Sequence, residues 1–114
     1  MPIKNLSRKK VLADSFRICD DIFSKALGLM FSRKQARALI FVFNDERKIS
    51  LHMFFVFYPI DVIFLDKRKI VVDFKENFRP FSFYSSRRKS MYTVELPNGT
   101  IRKSKTEIGD KIWF

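Results

Sequence analysis

Three side chains in this sequence can carry acid–base chemistry from inside apolar surroundings: Asp61, His52 and Glu95. Asp61 lies in the run LHMFFVFYPIDVIFLDKRKIVVDF, Leu51 to Phe74, between Ile60 and Val62. A carboxylate in such a place either has a raised pKa, useful for proton transfer, or accepts backbone N–H bonds. The nearby Pro59 favours the second role, because an Asp at a turn ties the surrounding amides. His52 is the sole histidine, and no cysteine pair assists it, so a conventional zinc site is not available. It reads as a strand histidine, able to pair with Asp61 or Glu95 only if the fold brings them close. Cys19 precedes Asp20 and Asp21, whose negative charge raises a thiol pKa, so it reads as a small buried hydrophobe. The three glycines are isolated and cannot build a phosphate loop. No cofactor or metal is implied, and no catalytic signature is present; the chain reads as a binding protein before an enzyme.

The basic residues form the louder pattern. Lys and Arg number 23 against 12 Asp and Glu, a formal charge of +11. A field of that sign attracts polyanions: nucleic acid first, with an anionic membrane surface or an acidic protein as alternatives. The cations come in runs, Arg8-Lys9-Lys10, Lys67-Arg68-Lys69, Arg87-Arg88-Lys89 and Arg102-Lys103-Lys105, mostly at expected turns or strand ends. Between Phe74 and Tyr92 they interleave with rings: Phe78, Arg79, Phe81, Phe83, Tyr84, Arg87 and Arg88. Cations that track phosphates and rings that stack bases are what single-stranded nucleic-acid binders use. Packing of those rings onto a sheet would produce the same pattern.

These residues need a scaffold, and 114 residues suffice for one domain with one core. The long apolar run is core rather than membrane span. Pro59 and Asp61 interrupt it, a central Asp costs about 2.5–3.5 kcal/mol in a bilayer, and Phe, Val and Ile favour strands. The single cysteine suits a reducing compartment, and MPIKNLSRKK has no apolar segment behind its charges, so a cytoplasmic location is expected.

Along the chain, residues 1–9 read as a mobile basic arm and Lys10–Phe16 as a first strand. Asp20-Asp21 suggest the cap of a short helix through Ile22, Phe23, Ala26 and Leu27, stopped by Gly28. Leu39–Phe43 and Ile49–Phe55 read as a hairpin across NDERK. A second hairpin flanks Lys67-Arg68, with Pro59 breaking the chain before it. NFRPFSFYSSRRKS reads as a loop or irregular edge. Met91–Leu96 is a strand closed by Pro97-Asn98-Gly99, and IGDKIWF is the last strand after a Gly-Asp turn. The expected class is mainly β, or α+β: a small barrel or curled mixed sheet of about six or seven short strands with one short helix. Its core is expected around Phe41, Phe43, Val62, Phe64 and Val71.

Three ordered blocks carry a family resemblance: Gly28-Leu29-Met30-Phe31; Pro59 to Asp66, similar to a PLDIIFID signature; and Tyr92 to Leu96 with Gly99-Thr100 and Gly109-Asp110, similar to a YVLEL…G…GD ending. The chain resembles DUF192, a widely distributed uncharacterised prokaryotic family, across roughly residues 10–112, and 10–114 is taken as the single domain. The resemblance implies a β-rich fold and no established activity. Where the family usually carries WMKNT, this chain has His52-Met53-Phe54-Phe55-Val56, so apolar residues replace the polar Lys-Asn-Thr set.

Overall fold

The computed structural model of the protein describes residues 1–19, 38–52, 59–79 and 82–114. In chain order the elements are β1 (Ile3–Asn5), β2 (Lys10–Ala13), β3 (Phe16–Cys19), β4 (Ala38–Arg47), β5 (Ser50–His52), β6 (Ile60–Leu65), β7 (Val71–Phe78), β8 (Phe83–Ser85), β9 (Ser90–Pro97), α1 (Thr100–Ser104) and β10 (Ile112–Trp113). They form a five-stranded sheet of order β3-β4-β9-β6-β7, a three-stranded sheet β10-β1-β2 and a two-stranded sheet β5-β8. β3 runs parallel to β4, and the other pairings are antiparallel. The mixed-sheet expectation is met. Among the described residues the five-stranded sheet is open, so the barrel alternative is not realised. No helix among them is long and apolar enough to cross a membrane.

The apolar run of β6, broken only by Asp61, has a direct structural consequence. All six of its residues are buried, as in a strand covered on both faces. Ile63 and Leu65 join Ile40, Val94, Leu96, Ile3 and Ile112 in one core cluster. Val62 and Phe64 join Ile49, Ile60 and Phe78 in a second, on the opposite face. Of the expected core residues, Phe41, Val62, Phe64 and Val71 are buried; Phe43 is half-buried, with the Arg47 guanidinium 5.7 Å from its ring.

Several expectations change. Residues 1–9 are not a free arm: β1 lies at the centre of its sheet between β2 and β10, Ile3 is fully buried in the core, and Asn5 is fully buried while donating to Thr106 and Asp110. The Lys10–Phe16 strand is two strands, broken at Asp14-Ser15. The hairpin across NDERK does not form. Both edges of β4 are occupied by β3 and β9, so β4 runs on to Arg47 and β5 pairs with β8 instead. Part of the expected 77–90 loop is thereby a strand, and the described residues alone hold ten strands against the six or seven expected. The hairpin of β6 and β7 and the β9 strand form as expected. So does the terminal turn, where Gly109 takes φ 95°, a conformation that favours glycine. The helix expected near Asp20 lies outside the described residues. The helix that is described, α1, follows Gly99 at φ 93° and is five residues long, too short to show a helical period.

Candidate functional site

Asp61 shows why an acid belongs in the apolar run. Helix α1 has no side-chain cap of its own, and Asp61 supplies one from β6. Its Oδ2 accepts the N–H groups of Gly99 at 3.1 Å and Ile101 at 2.8 Å, and its Oδ1 accepts that of Asn77 at 3.0 Å. Three backbone donors are satisfied by one carboxylate that is 1% exposed, which is the work of an N-cap performed across the sheet. Asp61→Asn should therefore lower stability by about 1.5–3 kcal/mol, because an amide presents one acceptor oxygen and no charge. Denaturant titration of the two proteins checks it; equal midpoints with equal slopes would refute the capping role.

Asp73 does similar work on the second face. Its Oδ2 accepts the Tyr84 hydroxyl at 2.7 Å and the Arg87 N–H at 2.8 Å, fixing the segment that leads into β9. Burial, then the bond and the charge of Asp73, push the Tyr84 hydroxyl up to about 12. The Tyr84 ring lies against Phe64 and Phe78, at 5.8 and 6.4 Å between centroids. Tyr84 is thus a core and anchoring residue rather than a stacking surface. Phe81 lies outside the described residues.

Glu95 is different. It is buried, its Oε2 has no hydrogen-bond partner, and desolvation pushes its carboxyl up to about 8. Thr93, two residues earlier on the same face of β9, has an equally unpartnered Oγ1. The register pairs Glu95 with Leu39 and Val62, and Asp61 with Leu96, so Asp61 and Glu95 point to opposite faces of the sheet. His52 belongs to the backbone of the separate β5-β8 pair, opposite Phe83. The structure does not join Asp61 and Glu95 in one catalytic group. Among the described residues no cluster of His, Cys, Asp and Glu is arranged to hold a metal.

At least four of the 12 acidic side chains, Asp61, Asp73, Glu95 and Asp110, are buried, while no Lys or Arg among the described residues is. The sequence therefore understates how basic the surface is. The register also gathers the cations. β6 ends at Leu65 opposite Tyr92, near the start of β9, and β4 ends at Arg47 opposite Ser90. The turn with Lys67, Arg68 and Lys69, the segment Arg87-Arg88-Lys89, and Arg47-Lys48 consequently sit at one end of the five-stranded sheet. The Asp73 bond to the Arg87 N–H holds the second of these there. Lys111 joins them: Ile70 bridges Lys111, and the Lys111 ammonium donates to the Arg68 carbonyl.

The carboxylates at this end are engaged. Asp45 pairs with Arg47 at 2.6 Å, Glu46 accepts the Lys67 N–H at 2.9 Å, and Asp66 accepts those of Arg68 and Ile70 at 2.9 and 3.0 Å. Lys48, Lys67, Arg68, Arg87, Arg88, Lys89 and Lys111 are exposed. Lys69 is half-buried, its ammonium 3.9 Å from the Phe114 ring centroid. Arg79, after β7, and Arg102 and Lys103, on α1, belong to the opposite end of the sheet, and Lys105 caps the helix C-terminus at φ 57°.

Fold and surface define a small, mainly β domain that turns several of its carboxylates inward and collects cations at one end. The chain belongs to the family DUF192, described as "Uncharacterized ACR, COG1430", which it matches over residues 4–114. It is 40% identical over 115 residues to the UPF0127 protein PH1112 of Pyrococcus horikoshii, covering 98% of each chain. It is 39% identical over 110 residues to a UPF0127 protein of Thermococcus sibiricus, covering 95% of this chain and 71% of the relative. Two crystal structures share its fold. One, from Sinorhizobium meliloti and called a "putative transcription regulator", has a TM-score of 0.85 and 23% identity, covering 98% of this chain and 89% of that one. The other, a protein of unknown function from Novosphingobium aromaticivorans, has a TM-score of 0.87 and 19% identity, covering 100% of this chain and 84% of that one.

Proposed function

We propose that this protein is a non-enzymatic nucleic-acid-binding domain that holds single-stranded RNA through phosphate contacts at the basic end of its five-stranded sheet. The observation behind the reading is the gathering of the 67–69 turn, the 87–89 segment and Lys111 at one end, where the local carboxylates are already engaged. Such a surface attracts a polyanion without reading its bases. With its carboxyl pushed up to about 8, Glu95 is largely neutral at neutral pH and offsets none of the surface cations. A reducing, cytoplasmic setting fits the lone Cys19. If roughly four to six phosphates are neutralised, log affinity should fall against log salt with a slope of about −3 to −4. Fluorescence anisotropy with a labelled oligo(U) across a salt series tests it. No binding at low salt would overturn the reading, and binding confined to acidic proteins or anionic vesicles would replace it.

A second reading rests on a separate observation. The unpartnered Glu95 Oε2 and Thr93 Oγ1 share one sheet face, a pair that suits a small ligand bearing hydrogen-bond donors. In that reading Glu95 and Thr93 replace the Asp61, His52 and Glu95 grouping.

A further inference from the structure

The outer face of the three-stranded sheet carries residues that its inner packing does not use. Strand alternation sends Ile3, Asn5, Leu12 and Ile112 inward and Lys4, Val11 and Trp113 outward. The register aligns these three in one row, since Lys4 is the cross-strand partner of both Val11 and Trp113. Trp113 remains 41% exposed and Val11 56% exposed, and the Lys4 ammonium lies 5.4 Å from the indole centroid. Lys111 stands two residues before Trp113 on the same outward face, and its ammonium bonds the Arg68 carbonyl of the 66–70 turn. The row is therefore continuous with the basic sheet end. At the turn before β10, Arg8 holds Glu107 at 2.7 Å and Asp110 at 3.0 Å, and Asn5 also donates to Asp110 at 3.0 Å.

From this juxtaposition we propose that Trp113 is a base-stacking platform. An unpaired base lies on the indole, and Lys4 and Lys111 hold the flanking phosphates. The inference rests on the nucleic-acid reading above and adds to it a requirement for unpaired bases. Charge complementarity selects the occupant: an exposed ring set among Lys4 and Lys111 suits a polyanion that carries flat apolar groups. Lys4 does not block the ring, because stacking of a base is stronger than an exposed cation–π contact. Displaced from the indole, its ammonium is released toward a phosphate. A duplex has no base free to stack, so it meets only the cationic part of the surface.

Trp113 is the sole tryptophan, so its fluorescence reports on the platform directly. Oligo(U) and oligo(dT) should quench it over the same concentration range in which anisotropy shows binding. Heparin, a polyanion without bases, should bind without quenching. Trp113→Ala should weaken oligo(U) binding about fivefold or more and leave the salt slope unchanged, while Trp113→Phe should recover most of the loss. Binding without quenching, with Trp113→Ala at wild-type affinity, would overturn the platform and leave the phosphate-contact reading intact. Absence of any binding at low salt would overturn both. Comparing oligo(U), oligo(dT) and a duplex of equal length separates RNA, DNA and paired strands; a duplex bound as tightly as oligo(U) would also overturn the platform.

Discussion

Glu95→Gln should flatten the dependence of folding stability on pH between about 4.5 and 8. In the unfolded chain the Glu95 carboxyl has its ordinary value of 4.5; in the folded protein desolvation raises it to about 8. The folded state holds the proton more tightly, so the contribution of Glu95 is fully present below pH 4.5. It declines as the unfolded chain ionises and the folded one does not, and it levels off above pH 8. Each unit of pKa difference is worth about 1.4 kcal/mol, so the loss across this window amounts to several kcal/mol. Asp110 does not mask the effect. Burial alone would raise its pKa, but bonds from the Arg8 guanidinium, the Asn5 amide and the Glu107 N–H lower it below its ordinary 3.8. Its stabilising contribution is therefore lost on the acid side of the window. Urea titrations at pH 5 and pH 8.5 should show a clear drop for the wild type and little change for Glu95→Gln. A wild type equally stable at both would mean that Glu95 ionises freely and is not buried as described.

Phe64→Ala should cost about 3–5 kcal/mol. Phe64 is fully buried on β6, between β7 and β9 and opposite Asp73 and Thr93. Its ring lies 5.8 Å from that of Tyr84 and packs with Val62, Ile49 and Phe78. Truncation removes apolar contact on the face that carries Asp73 and Tyr84, and strands on both sides restrict collapse into the space. Thermal or denaturant melts test this directly; a variant as stable as wild type would contradict the placement of β6 at the centre of the core.

The sequence announced β6, β7 and β9, because continuous or alternating apolar runs bounded by Pro59, the 67–68 turn and Pro97-Asn98-Gly99 admit little else. It also pointed to a structural Asp61. The actual partners, Gly99, Ile101 and Asn77, are 16 to 40 residues away in the chain, and no local pattern encodes them. Asp73 was missed for a related reason. The register shifts between Phe64 and Leu65, which sets Asp73 opposite Phe64 on the second face. Unbroken alternation from Val71 would have sent it to the first. The Asn5–Asp110 and Arg8–Asp110 bonds likewise span more than 100 residues. The role of β1 depends on that closure between the two termini, and a nine-residue basic stretch read alone resembles a solvated tail. The basic runs were plain in the sequence. Their sorting to two ends of a sheet follows from strand register, which only the fold supplies.

The nucleic-acid reading turns on that sorting, and equal changes of charge at the two ends test it most directly. One variant carries Arg68→Glu, Arg88→Glu and Lys89→Glu; the other carries Arg79→Glu, Arg102→Glu and Lys103→Glu. Both lower the net charge by the same amount, and melts confirm that both remain folded. In anisotropy with oligo(U) at low salt, the first should lose most of its affinity, with the salt slope falling by about 2 as three phosphate contacts are removed. The second should bind nearly as the wild type does. Equal losses in the two variants, or a larger loss in the second, would contradict an interface at the basic end.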